Sequence, residues 1–588
     1  MRTVYKYIKP VLWPMIGGLT LKFIAAMFDL TIPYFLETII DKAAPTGQIN
    51  QVLFWGVVML VCSVLALVTN VTANRMAVRN TSKVTKTLRH DLFAKISHLS
   101  ARKTDEFTVS SLISRLTTDS YNVNDMLVRV QRIGVRAPFL LIGGIIITLT
   151  LDPVLTLVLV AMLPIIAVVV YFVTKYSVPI YTHCQQILDK LVRTVQENAT
   201  GVRVIKALGK GEHERKRFDN VNAGLANENK KAGVIMAITN PAATIVLNIG
   251  LTLVVIVGAR RVNSGLTEPG TILAFLSYFT IILNAMLGIT RVFVICSKGS
   301  ASAKRIESVL LAEDDMPILP EEENAQTENA DAPHIEFRGV TFSYNKKEET
   351  DGLRSEERDY IKNNLTDISF TLNRGQTLGI IGATGSGKST IVNLLIRFYD
   401  PDKGTVLVDG RDIRCIPREE LCKKFGIAFQ NDFIMANSIF ENISFGRDLT
   451  EEQVNRAIVL AQAKQMIDEL PEGTGYRLTA RGTNISGGQK QRMLIARAVA
   501  AEPEILILDD SSSALDYKTD ASLRKALHSS LPDTTTVIIA QRISSIMNAD
   551  LILVLDEGSI IGRGRHSELM ESCPEYKLIA DTQMGGAA

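Results

Sequence analysis

Gly382-Ala383-Thr384-Gly385-Ser386-Gly387-Lys388-Ser389 is the stretch on which the rest of the chain turns. An apolar run, 377–381, precedes it and reads as a strand; 389–398 reads as a helix. Strand, glycine-rich loop and helix in that order form the phosphate-cradling P-loop pattern. Glycines let backbone N–H groups turn toward phosphate oxygens, and the helix start adds partial positive charge. Lys388 is placed to reach the β- and γ-phosphates. Ser389 offers a hydroxyl to Mg²⁺, and Thr390 follows it at the helix start.

Length and composition set this loop in a larger molecule. A chain of 588 residues implies several domains. Hydrophobic residues make up 47% and mean hydropathy is positive, high for a soluble enzyme. The net charge of +3 gives no nucleic-acid signal. Six cysteines, Cys62, Cys184, Cys296, Cys415, Cys422 and Cys573, lack metal-ligand or disulfide spacing and read as reduced thiols. The first apolar stretch carries no small-residue cleavage site and is expected to remain as a membrane span.

A membrane helix needs about 20 apolar residues. Six candidates precede residue 310: 11–35, 52–72, 135–151, 153–174, 232–259 and 270–296. Asp152-Pro153 marks a tight turn between the third and fourth. No Gly or Pro occurs from Val57 to Ile133, although apolar character stops near Val71, which predicts a helix continuing from lipid into water. The stretch 180–200 repeats this after the fourth span. About a dozen Lys and Arg between Arg75 and Arg136, and a basic run from Lys206 to Lys231, place both extensions in the cytoplasm. Arg260-Arg261 falls in an outer loop and runs against that rule.

Thr108–Arg115 and Gly201–Gly211 fit either docking elements or ordinary hairpin tips. Charge within a span costs roughly 2.5–3.5 kcal/mol on insertion scales, so it faces a cavity or a partner. Asp29 and Arg291 therefore fit a substrate pathway or a helix-pairing contact, and Lys22 fits snorkelling. Residues 311–333 are acidic, carry Glu321-Glu322-Glu323 and three prolines, and read as a flexible linker.

From residue 334 the composition is that of an α/β domain. Tyr344, in Phe-Ser-Tyr, is positioned to stack on adenine or to serve as a half-buried strand aromatic. A charged insert, 345–363, follows. Gln430 ends an apolar run and suits Mg²⁺ or an attacking water. Ser486-Gly487-Gly488-Gln489 opens a second helix, a further anion site that does not aim at the same nucleotide as the P-loop. The strand 505–508 ends in Asp509-Asp510; an acid so placed after a P-loop holds Mg²⁺. Ser513-Ala514-Leu515-Asp516 follows, and the strand 535–540 ends in Gln541.

In this order the motifs resemble those of a half-size ATP-binding cassette (ABC) exporter of the heterodimeric multidrug kind. The resemblance spans nearly the whole chain. It implies a six-helix membrane domain (1–310) with two cytoplasmic coupling loops, a linker (311–333) and an α/β nucleotide-binding domain (334–588). It also implies ATP and Mg²⁺ as ligands and a multi-pass plasma-membrane protein with its nucleotide domain in the cytoplasm. By this likeness Tyr344 stacks adenine, Gly382–Ser389 is Walker A, Gln430 the Q-loop, Ser486–Gln489 the signature, Asp509 Walker B and Asp516 the end of the D-loop. ATP would lie between the P-loop of one chain and the signature of another.

Three departures set a further expectation. Asp510 stands where the family has a catalytic Glu, Gln541 where it has the switch His, and Ala480 where Thr479-Ala480-Arg481-Gly482 would carry an acid. A general base must reach within about 3 Å of its proton, and Asp is one methylene shorter. Gln cannot take a proton. Binding groups survive and hydrolytic groups do not. The expected function is one subunit of a heterodimeric exporter whose own site holds ATP. Its signature would serve a non-identical partner carrying Glu and His, and the cargo would be amphipathic or hydrophobic. An ATP-sensing membrane regulator and a slow homodimeric exporter are the alternatives. A peptide-processing exporter would need a protease domain ahead of the first span near residue 11.

Overall fold

A computed structural model describes residues 2–313, 316–320, 332–344, 364–430, 433–511 and 515–584. The charged insert and most of the linker lie outside these residues. Backbone proximity divides the chain into two units, Met1–His98 with Phe107–Ala312 and Leu99–Glu106 with Glu313–Ala588.

The first unit is helical. Its long helices are Leu12–Thr38, Ile49–Ser97, Arg136–Leu151, Pro153–Thr200, Gly211–Asn263 and Pro269–Leu310. Among the described residues five stretches are long and apolar enough to cross a membrane, and Pro153–Val168 adds a shorter apolar one. At 1.5 Å per residue, Ile49–Ser97 extends roughly 70 Å, more than twice a bilayer core of about 30 Å. The excess carries the basic residues out into water. That helix ends at Ser97, so the stretch from Val57 to Ile133 is not one helix despite its lack of Gly and Pro. Thr108 has a positive φ of 61° with an extended ψ of 140°, and π-turns occupy Arg115–Asp119 and Val130–Gly134.

Buried polar contacts lock the helices together. Tyr278 donates to the Leu30 carbonyl at 2.7 Å. Asp41 accepts from the N–H groups of Gly270 and Thr271, neutralising the start of the last helix. Asp152 caps the helix after its turn through Val154 and Leu155, and also accepts from Arg261 at 2.7 Å and Thr267 at 2.5 Å. Of the two cations that run against the charge rule, Arg261 is thereby paired, and Arg260 is exposed. Lys22 does not snorkel. It is buried, donating to Asn74 at 2.8 Å and to Asn70.

The second unit holds two sheets. The first is antiparallel, ordered β2 (Leu365–Leu372), β1 (Ile335–Phe342), β4 (Lys403–Val408), β5 (Arg411–Asp412). The second is ordered β10 (Ser559–Gly564), β9 (Leu551–Asp556), β3 (Thr377–Gly382), β8 (Thr535–Ile539), β7 (Ile505–Asp509), β6 (Phe425–Ala428). Strands β9, β3, β8, β7 and β6 run parallel, with β10 antiparallel at one edge. β7 is buried at every residue, as a central parallel strand covered on both faces requires. In such sheets ligands bind beyond the carboxyl ends of the strands. The P-loop, Gln430, Asp509, Asp510 and Gln541 all follow or close such ends.

The P-loop helix spans Lys388–Leu395, stopping earlier than the sequence suggests; Arg397 has left-handed backbone at φ 54°. The described linker residues lie against this unit rather than free of it. Arg397 donates to the Pro317 carbonyl at 2.9 Å, and the Leu319 N–H donates to the Arg414 carbonyl at 3.0 Å. Leu99–Glu106 groups with this unit, and Tyr399 donates to Asp105 at 2.6 Å. Thr108–Arg115 and Gly201–Gly211 group with the helical unit.

Candidate nucleotide site

The loop after β3 is shaped by backbone that side chains disfavour. Gly385 and Gly387 have φ of 85° and 98°, and a Cβ on Gly387 would lie 2.8 Å from the Asn364 carbonyl. Lys388 folds back along the loop, donating to the carbonyls of Gly382 at 2.9 Å and Ala383 at 2.7 Å. Ser389 donates to Asp509 at 3.1 Å. These groups line a cavity of about 260 Å³ together with Thr384, Thr390, Gln430, Asp510 and Gln541.

Electrostatics in the cavity follow from burial. Desolvation pushes the carboxyls of Asp509 and Asp510 up from their ordinary range. It pushes the Lys388 ammonium down, against the pull of the same two acids. Both effects favour an incoming polyanion with a divalent cation. Phosphates would neutralise Lys388, and the cation would neutralise Asp509. The Ser386 hydroxyl is buried without a hydrogen-bond partner among the described residues, an orphan that a phosphate oxygen would satisfy. The residues present therefore fit Mg-nucleotide, with Ser389, Asp509 and Gln430 as the set that would face the metal. Bound Mg²⁺ supplies charge neutralisation across the phosphates.

Asp510 is the meeting point of two neutral amides. Its Oδ2 accepts from Gln430 Nε2 at 3.0 Å and from Gln541 Nε2 at 2.9 Å. Its backbone is left-handed, φ 49°, and its N–H donates to the Ile539 carbonyl on the neighbouring strand. Gln541 is held in turn. Gln583, on the helix Pro574–Met584, donates to its backbone carbonyl and accepts from the Ile543 N–H, both at 2.8 Å. Nothing in local sequence marks Gln583 or the cavity-lining Asn364.

Tyr344, the signature residues and Asp516 are not in the lining of this cavity. The Tyr344 hydroxyl accepts from Asn393 at 3.1 Å, and the ring packs edge-on against Phe342 and Tyr399. Ser486 caps the helix Gly487–Val499 in a reciprocal box with Gln489, and Ser486 and Gly487 are exposed. Asp516 caps the helix Tyr517–Ser530 through Thr519. Ser513 and Ala514 lie outside the described residues. Arg481, beside Ala480, donates its N–H to the Ile434 carbonyl, tying the segment before the signature to the one after Gln430.

A phosphate-cradling loop at the end of a parallel sheet, in a chain with membrane-crossing helices, defines a nucleotide-binding membrane protein. Residues 15–286 match the family model of the ABC transporter transmembrane region, and residues 365–513 match the ABC transporter model. The ABC transporter ATP-binding protein YfiB of Bacillus subtilis is 33% identical over 590 residues, covering 100% of this chain and 99% of that one. The putative ABC transporter ATP-binding protein exp8 of Streptococcus pneumoniae is 30% identical over 596 residues, covering 100% and 98%. A structure of a bacterial Atm1-family ABC exporter superposes with a TM-score of 0.81 at 22% identity, covering 98% of this chain and 99% of that one. The chain belongs to the ABC transporters and has the half-transporter fold, a multi-pass membrane domain joined to one ATP-binding domain.

Proposed function

We propose that this chain is the ATP-retaining half of a heterodimeric ABC exporter. The observation that carries the reading is the convergence of Gln430 and Gln541 on Asp510 Oδ2. A general base here must take a proton from water on the γ-phosphate side. Asp510 is one methylene short and faces two amide donors, and neither amide moves a proton in its place. The chain's binding groups, Lys388, Ser389, Gln430 and Asp509, line one cavity and would hold Mg-ATP without rapid cleavage. The exposed N-terminus of the signature helix lies outside that cavity, which supports its use by a second, non-identical chain with Glu and His in its own site. Tyr344 would stack adenine, and Asp516 would close the interface between the two nucleotide domains. Gly201–Gly211 would dock on the partner, supported by the exposure of Val204 on its short helix and of Leu208 just after it.

The test is ATP turnover by purified protein, alone and with its partner. Alone, the chain binds ATP with little phosphate release. In the pair, Asp510→Ala leaves the rate within about twofold, whereas Lys388→Ala lowers ATP occupancy of this site. Brisk turnover by the chain alone, abolished by Asp510→Ala, would refute the reading.

A further inference from the structure

A cavity of about 880 Å³ among the helices of the first unit has an uneven lining. Arg132, Arg136 and Asp29 lie on it with Asn284, and apolar side chains such as Leu36 and Leu140 complete it. Asp29 is paired with Arg136 at 2.5 Å, as the helix-pairing alternative expects, and it lines the cavity. Arg291, by contrast, does not line the cavity and is exposed. Two guanidinium groups face one carboxylate, leaving a net positive charge. Nε of Arg132 and Nε of Arg136 are buried without an acceptor among the described residues. Guanidinium N–H groups removed from water and left unpaired are costly, and the ligand they suit is a planar or tetrahedral oxyanion.

Depth gives this charge a direction. Arg136 lies sixteen residues before the Asp152 turn, about 24 Å along the helix. In a core of about 30 Å that places it in the half of the bilayer away from that turn. Leu140 lies a helical turn closer to the Asp152 turn, and Leu36 lies two turns beyond Asp29 toward the same face. The cavity is thus cationic at the cytoplasmic-leaflet end and apolar toward the other. Resting on the transporter reading above, we infer that it binds an anionic amphiphile, headgroup toward Arg132 and Arg136 and hydrocarbon toward Leu36 and Leu140.

The probe is radiolabelled dodecyl phosphate, with dodecyltrimethylammonium as the cation of equal tail length. Each is titrated against the full chain in nanodiscs of zwitterionic lipid. The expected result is saturable dodecyl phosphate binding, with the cation binding at least about tenfold more weakly. Arg132→Gln and Arg136→Gln should each weaken the anion by about tenfold. Arg136→Lys, which keeps the charge, should weaken it less. Asn284→Asp leaves the Arg136–Asp29 pair intact and should shift preference toward the cation, which guards against a glutamine variant that fails to fold. Equal or tighter binding of the cation, or anion binding unmoved by Arg132→Gln and Asn284→Asp, would overturn the inference. ATP-driven uptake by the paired transporter in inverted vesicles separates the two readings. Uptake of the cation without anion binding sinks this site and keeps the exporter. Anion binding without any uptake sinks the exporter and keeps the site.

Discussion

Asp510 and Gln541 are legible in the sequence as substitutions, but their meaning depends on a third residue. Gln430 reaches Asp510 across eighty positions and completes a bridge of amides around one carboxylate oxygen. On the function proposed above, restoring both functional groups should speed hydrolysis at this site. Asp510→Glu with Gln541→His is expected to raise phosphate release by the purified chain at least tenfold, given that a positioned base contributes about 10²–10⁴. A rate unchanged by the double variant, with ATP still bound, would show that the limit lies elsewhere. His334 gives a pH dependence of different origin. It is fully buried, with Nδ1 2.6 Å from the Thr535 hydroxyl and Nε2 facing Asp409 and Glu504, while Arg374 and Lys424 already pair with those acids. Burial holds its pKa below the ordinary value, despite the pull of Asp409. The unfolded chain therefore binds this proton more readily, so the contribution to stability is complete above about pH 6.5 and falls away as pH drops below it. Melting of the full chain at about pH 7.5 and 5.5 should show this loss, and His334→Gln should flatten it.

At the scale of elements, the signature helix is held against the sheet by a contact that periodicity does not reveal. Gly426 lies on β6, and a Cβ there would lie 2.2 Å from the Ala498 carbonyl near the end of Gly487–Val499. The opposing atom is backbone, which cannot rotate away. Gly426→Ala should cost about 1–3 kcal/mol, seen as a lower melting temperature of the full chain. On the function proposed above, it should also disturb ATP turnover at the partner's site, since the helix start presents Ser486. The strands 505–508 and 535–540 were readable to within a residue, because apolar runs are local signals, whereas the helices Gly211–Asn263 and Pro269–Leu310 run well beyond the spans 232–259 and 270–296. The break after Ser97 was not readable. No Gly or Pro marks it, and Thr108 takes a positive φ that its residue type disfavours.

For the whole molecule, charge distribution and span order give an orientation that labelling can check. The Asp152–Arg261–Thr267 contact groups both short turns at one membrane face. In a variant lacking the six native cysteines, Leu266→Cys should react with an impermeant maleimide on intact cells. Lys210→Cys should react only after permeabilisation. The reverse pattern would invert the topology. Of the apparent exception, Arg260-Arg261, the second is paired with Asp152, so its charge does not act alone in the bias.

The sequence by itself determined the class of chain: spans, basic extensions, an acidic connection and an ordered set of nucleotide motifs. Those are properties of composition and short spacing, and the P-loop reading follows from its glycines, Lys388 and Ser389 between an apolar run and a helix. Only the tertiary structure decided which distant side chains share a site. Asp29 with Arg136, Lys22 with its two asparagines, and Gln430 with Asp510 and Gln541 are pairings across sheet order or helix packing. Such packing is set by how buried faces interlock, and no local pattern encodes it.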